Sequence, residues 1–309
     1  MKTFLRHYGP VATLLAGILV VATLLSLFVG HGRADDPRPQ VVVTTYPLYV
    51  AAQNILGSTD GVRLTMLSGV GAGCLHDYQL SPADRLALER ADKVIINGAG
   101  AEPFLEGLVE ESRLVDTSVG LSYLCADADH HHEDHDHEHT EYNEHIWLSP
   151  AAYLSQVWQV SQAIIRLHPE LTEIYTANAD AYMQQVLDVQ YALPGFDKRP
   201  CVLFHDSLSY LASDAHMDVK LTLSAEGESG LSAADLARVE ALAKEHPDLV
   251  LLYDTQYPIR YAAIDGLVPA DQVIALESAV VGSGKPSDWL DAMGRNVEKL
   301  QKLTGGDTP

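Results

Sequence analysis

This 309-residue sequence predicts an α/β fold of two lobes, each with a mostly parallel sheet flanked by helices, joined by a long connecting helix. Three observations carry that expectation. Short β-branched runs alternate with helix-length segments, the pattern of parallel strands with crossover helices. The alternation occurs twice. Between its two occurrences lies a helical stretch over 150–194 that contains no glycine. The expected organisation is a leader over 1–33, an N-terminal lobe over 34–149, a connecting region over 150–194 and a C-terminal lobe over 195–309.

The leader comes first. Lys2, Arg6 and His7 precede an uncharged apolar run over 11–30. A basic end followed by an apolar core is the layout of an export signal. The run is also long enough to span a hydrocarbon layer of about 30 Å, so a cleaved signal peptide and an uncleaved anchor both fit. Residues 34–40 read as a polar linker.

Val41-Val42-Val43-Thr44-Thr45 is β-branched throughout and reads as a buried strand. A helix is expected over 48–56, stopped by Gly57, and a strand over 62–67 before the glycine-rich SGVGAG. Ser81-Pro82 opens the next helix, with Ser as cap and Pro in the first turn. A strand over 93–97, a short helix over 102–110 and a strand over 113–117 complete the first lobe. Residues 126–144, ADADHHHEDHDHEHTEYNE, have no apolar period and read as an inserted loop. After the connecting stretch, which His168-Pro169 punctuates, strands are expected over 201–204, 219–223, 249–253 and 272–276. Helices are expected over 207–213, 232–245, 257–266 and 286–303.

The formal charge is −22. Nucleic acid needs a basic face, so that partner is excluded, whereas an acidic surface attracts cations. Cys74, Cys125 and Cys201 show no CxxC spacing, and an odd number leaves at least one thiol outside any disulfide.

Four residues fall where an open α/β sheet binds ligands, outside the carboxyl ends of its strands. His76 follows the second strand and its loop, and His145 precedes the connecting helix. His205 sits one residue past CVLF, and Glu277 one past QVIAL. Three imidazoles and a carboxylate, two groups from each lobe, suit a four-coordinate Zn²⁺ site.

Those motifs resemble the zinc/manganese-specific solute-binding proteins of bacterial ABC importers, over about 41–303. VVVTTYPLYVAAQNILG resembles the opening strand and helix of that family. HDYQLSPADRLALERADKVIINGAGAEPFLEGL resembles its first-ligand segment, HIWLSP its second and FHDSLSYLA its third. AEGESGLSAADLARVEALAKEHPDLVLLYDTQ resembles the stretch of the second lobe that leads into a strand. VIALES resembles the segment with the last ligand.

The resemblance implies His76, His145, His205 and Glu277 as metal ligands, with Zn²⁺ favoured over Mn²⁺ because His205 occupies the third place. It implies an exported monomer that hands its cation to a permease driven by a cytoplasmic ATPase. That monomer sits in the periplasm or on the outer face of the cytoplasmic membrane, and touches the membrane if the leader stays. His130, His131, His132, His135, His137 and His139 resemble the His-rich insertion of zinc members and imply an auxiliary zinc-collecting loop.

The sequence departs from the pattern in three places. Asn143-Glu144 stands where Asp-Pro is usual, Ser149 where Asp is usual, and Glu277 where Asp is common. Asp77, Asp206 and Asp254 are candidates to orient ligands or line the cleft, and Tyr46 and Trp147 to shield a metal. A metal hydrolase is the rival class, but HExxH and GxSxG are both absent. A surface adhesin or metal buffer on the same fold is the third class.

Overall fold

The computed structural model describes residues 36–67, 78–125, 142–223, 231–256 and 264–304. Met1–Arg38 and Pro39–Pro309 are separate compact units. The described part of the first is 36–38, where the Arg38 guanidinium pairs with Asp36 at 2.6 Å. The leader expected over 1–33 lies outside the described residues. Among the described residues no helix is long and apolar enough to cross a membrane.

Within Pro39–Pro309 the first sheet has β1 (Gln40–Val43), β2 (Arg63–Met66), β3 (Lys93–Ile96) and β4 (Leu114–Asp116) in the order β2-β1-β3-β4. All its pairings are parallel, with Val42 opposite Thr65 on one side and Val94 on the other. The second sheet has β5 (Pro200–Leu203), β6 (Asp218–Thr222), β7 (Val250–Asp254) and β8 (Val273–Leu276) in the order β6-β5-β7-β8, again parallel throughout. The two orders are the same. In each sheet the first strand is central and the chain reverses direction beside it, which places a ligand crevice at that strand's carboxyl end.

Strand alternation divides the apolar residues into three cores. Val41, Val43 and Ile95 from the first sheet, and Cys201, Leu203, Val250 and Leu252 from the second, enter one core that runs through both lobes. The residues between them face the other way. Val42 and Val94 pack with Leu88 and Leu105 in one outer cluster. Val202 and Leu251 pack with Val239 and Ile264 in the other.

Helices α1 (Tyr46–Leu56), α3 (Pro150–Leu167), α4 (Thr172–Ala192) and α7 (Asp288–Lys302) supply the middle layer. The connecting stretch is a helix pair. His168 ends α3 at φ −138°, a 3₁₀ turn over Pro169–Leu171 follows, and α4 packs back on α3. Proline there has no N–H to extend the ladder. Because α1 and α7 also lie against the pair, the connection is core and not an exposed strut. Tyr153 of α3 stacks on Trp289 of α7 at 4.1 Å and donates to the Pro47 carbonyl of α1 at 2.9 Å.

Local signals explain the helix starts. Ser81 caps α2 (Pro82–Arg90) and Ser232 caps α6 (Ala233–Glu245). Each forms a reciprocal capping box with an aspartate three residues on. α1 begins at Tyr46, earlier than expected, because Pro47 suits a first turn.

The helix expected over 102–110 is a correction. Only Pro103–Leu105 makes a 3₁₀ turn, and Gly107 at φ +69° turns the chain away. The Glu102 carboxylate is drawn inward instead, accepting from Thr44 Oγ1 at 2.6 Å, Asn97 N at 2.7 Å and Gly98 N at 3.0 Å. The helix expected over 207–213 is a 3₁₀ turn, Asp206–Leu208, followed by α5 (Ser209–Asp214). Of the helix expected over 257–266, residues 257–263 lie outside the described residues.

Candidate metal centre

His145 is held from both sides. Ile146, Trp147 and Leu148 form a 3₁₀ turn sunk in the shared core, and Ser149 then caps α3 through Ala152 N at 3.3 Å. The Trp147 indole donates to the Ser278 carbonyl at 2.7 Å, and the Trp289 indole donates to the Trp147 carbonyl at 3.2 Å. Trp147 is therefore a core anchor, 5.2 Å ring to ring from His145. Behind the loop, Asn97 Nδ2 donates to the Glu144 carbonyl at 2.9 Å, and Gln156 Nε2 donates to Asn97 Oδ1 at 3.1 Å. His145 itself is 3% exposed.

Where the family pattern has Asp, Ser149 donates to Asp214 Oδ2 at 2.7 Å. Burial raises the Asp214 carboxyl, against the Ser149 hydrogen bond and the nearby His216.

His205 leaves the carboxyl end of β5, the central strand of the second sheet, and is 1% exposed. Its Nδ1 accepts from Ser207 N at 3.0 Å. Ser207 Oγ donates in turn to Asp254 Oδ2 at 3.0 Å, so the buried Asp254 steadies this turn rather than lining the cleft. The rings of His145 and His205 stand 5.5 Å apart at 84°.

Asp206 completes a group. Its Oδ1 lies 3.3 Å from His205 Nδ1 and 3.8 Å from His145 Nδ1. One ligand atom from each of His145, His205 and Asp206 lies within 4.8 Å of the others. His205 Nδ1 already accepts from a backbone N–H, so it meets the carboxylate as one acceptor beside another. A cation at this nitrogen would take the place of the Ser207 hydrogen bond, because imidazole Nδ1 has one in-plane lone pair. Two buried imidazoles and a carboxylate form a donor set suited to a borderline-soft divalent metal.

The family described as zinc-uptake complex component A, periplasmic (ZnuA), matches residues 41–303. The chain belongs to the ZnuA family. The zinc-binding lipoprotein AdcA of Streptococcus pneumoniae (strain TIGR4) is 25% identical over 94% of this chain and 61% of its own length. The chain thus spans about three fifths of that relative. The high-affinity zinc uptake system protein ZnuA of Bacillus subtilis is 26% identical over 77% of both chains. Among solved structures, FpvC of Pseudomonas aeruginosa in complex with Mn²⁺ is similar with a TM-score of 0.71 at 21% identity, covering 87% of this chain and all of that one. The periplasmic zinc-binding protein TroA of Treponema pallidum has a TM-score of 0.65 at 22% identity, covering 86% and 99%. These likenesses establish the shared two-lobe fold.

Of the ZnuA-family ligands expected from the sequence, the structure brings His145 and His205 together. His76 and the loop histidines His130, His131, His132, His135, His137 and His139 lie outside the described residues, as do Asp77 and Cys74. The loop's flanks are described, and Cys125 and Tyr142 meet in an antiparallel bridge.

Glu277 is committed to an ion pair. It follows β8, an edge strand two positions from β5, a separation of about 9.6 Å at the usual strand spacing. Both its oxygens accept from the Arg295 guanidinium at 2.7 Å, and Lys299 lies 3.9 Å away. The Arg295 hydrogen bonds hold its carboxyl below the usual range, against partial burial. Tyr46 is likewise engaged, donating to Asp288 while accepting from Gly284 N.

Sequence reasoning weighed Asp206 only as an orienting neighbour, although its adjacency to His205 in FHD was visible. It gave no role to Asn143 beyond a departure from the family pattern.

Proposed function

We propose that this protein captures Zn²⁺ outside the cytoplasm and delivers it to the permease of an ABC importer energised by a cytoplasmic ATPase. The observation that carries the reading is the group of two buried imidazoles and a carboxylate at the carboxyl end of β5. Membership of the zinc-uptake family supports it, and so do relatives that are themselves zinc-binding and zinc-uptake proteins.

The cargo is held by His145 and His205 with Asp206 as carboxylate, and His76 joins them as the sequence resemblance implies. Glu277 serves as a ligand only by leaving Arg295. Nitrogen-rich ligation favours Zn²⁺ over the oxygen-preferring Mn²⁺. The role is binding and transfer, without catalysis. The His-rich loop collects zinc weakly. The protein is an exported monomer, in the periplasm or held at the outer face of the cytoplasmic membrane by residues 11–30. The domain limits lie at 33/34, 149/150 and 194/195.

The test is calorimetric titration of the metal-free protein with Zn²⁺ and with Mn²⁺. Tight one-site zinc binding that His145→Ala abolishes supports the proposal. Wild-type-like zinc binding by H145A refutes the site, and a preference for Mn²⁺ refutes the cargo.

A further inference from the structure

We infer that Asn143 is the positioning residue of this metal site, selecting the imidazole tautomer of His145 and tying it across the cleft to the His205–Asp206 turn. The inference rests on the proposed role of His145 as a ligand.

Asn143 is 2% exposed and every polar atom it has is engaged. Its backbone N–H donates to the Leu124 carbonyl at 2.9 Å, and its carbonyl accepts from Tyr210 Oη at 2.8 Å. Side-chain Nδ2 donates to the Asp206 carbonyl at 2.8 Å, and Oδ1 accepts from His145 N at 3.0 Å. These last two bonds fix the amide orientation. The flipped amide would set NH₂ against N–H and oxygen against carbonyl.

With the orientation settled, Oδ1 also faces His145 Nδ1 at 3.1 Å. An amide oxygen can only accept, so Nδ1 must carry the ring proton. Nε2 is then the ring nitrogen through which neutral His145 would bind a cation. A partner that fixes the tautomer of a ligating imidazole raises its basicity and removes the cost of selecting that form on binding.

The same amide spans the lobes, because Asp206 directly follows His205. One side chain thus sets both the protonation form of one ligand and the separation of the two. The His145 loop depends on it at one backbone donor, His145 N, and has other anchors. Asn97, the Ser149 cap and the Trp147 indole hold that segment independently. Substitution at Asn143 should therefore change the site more than the fold.

The experiment uses the full chain, stripped of metal, with Zn²⁺ titrated against a competing chromophoric chelator to isolate the tight site. Asn143→Ala, Asn143→Asp and His145→Ala are compared. Long-range ¹H–¹⁵N spectra of the histidine rings run alongside, with the His145 resonance assigned by its loss in H145A. N143A should weaken zinc binding by about 10- to 100-fold, move His145 away from the Nδ1–H form and lower the unfolding temperature of the metal-free protein while leaving it folded, because His145 N and the Asp206 carbonyl each lose a buried partner.

N143D keeps the acceptor and loses the donor to Asp206. It should retain the Nδ1–H form and recover only part of the affinity, the remaining loss reporting the tie to Asp206. Wild-type affinity or an unchanged His145 tautomer in N143A, with binding lost in H145A, overturns the positioning role alone. Wild-type affinity in H145A overturns the site and this inference with it.

Discussion

Asp206→Asn and Glu277→Gln are nearly isosteric, and the geometry assigns them opposite consequences. Asp206 Oδ1 lies 3.3 Å from His205 Nδ1 and 3.8 Å from His145 Nδ1, and one ligand atom from each of the three residues lies within 4.8 Å of the others. Neutralising it removes the formal negative charge from the described group. Loss of an outer partner alone lowers metal affinity by about 10- to 100-fold. Loss of a direct ligand should reach the upper end of that range or beyond, at least about 100-fold or about 3 kcal/mol.

Glu277 is committed to Arg295 through two 2.7 Å bonds. Its strand lies about 9.6 Å from β5 at the usual spacing. E277Q should therefore leave zinc affinity near wild type. Arg295 is half-exposed, so the lost pair should cost at most about 1 kcal/mol of stability. Chelator competition gives the two dissociation constants, and chemical denaturation of the metal-free proteins gives the stabilities. If E277Q loses the tight site while D206N keeps it, the carboxylate assignment is refuted and Glu277 is the ligand expected from sequence.

Glu102 makes a pH prediction. Burial pushes its carboxyl up to about 7, against the Thr44, Asn97 and Gly98 hydrogen bonds and helped by the Asp116 charge. A carboxyl raised on folding is bound to its proton more tightly in the native state. Stability from this group is therefore full below its unfolded value and is lost as pH rises from about 4.5 to about 7, by about 3 kcal/mol. Urea unfolding of the metal-free protein across that window should show a shallower pH dependence in Glu102→Gln than in wild type; equal slopes would contradict the assignment. Deleting residues 129–139 should lower the number of zinc ions bound at saturation while keeping the tight site, and an unchanged stoichiometry would remove the collecting role.

Much of the fold was legible because its signals are local. The valine run of β1, the Ser-Pro start of α2 and the Ser232 cap each depend on residues within one turn or strand. His145 and His205 were legible as candidates because each borders an element whose type could be read directly. The failed helix at 102–110 shows the limit. Its local propensity lost to a buried carboxylate that three donors from two strand ends capture, and those donors converge only when β1 and β3 pair.

The choice between Asp206 and Glu277 had the same character. Both follow a strand by one to three residues, so the sequence carries enough to name both as candidates beside the cleft. It also carries the two-lobe class, the acidity that attracts cations and the histidines worth testing. Which carboxylate reaches the imidazoles depends on sheet order, since β5 is central and β8 lies at the edge. The amide of Asn143 is a similar case, because it bridges His145 to a carbonyl 63 residues away. Strand order and cross-lobe hydrogen bonds come from packing segments distant in the chain, and no local pattern of residue types encodes them.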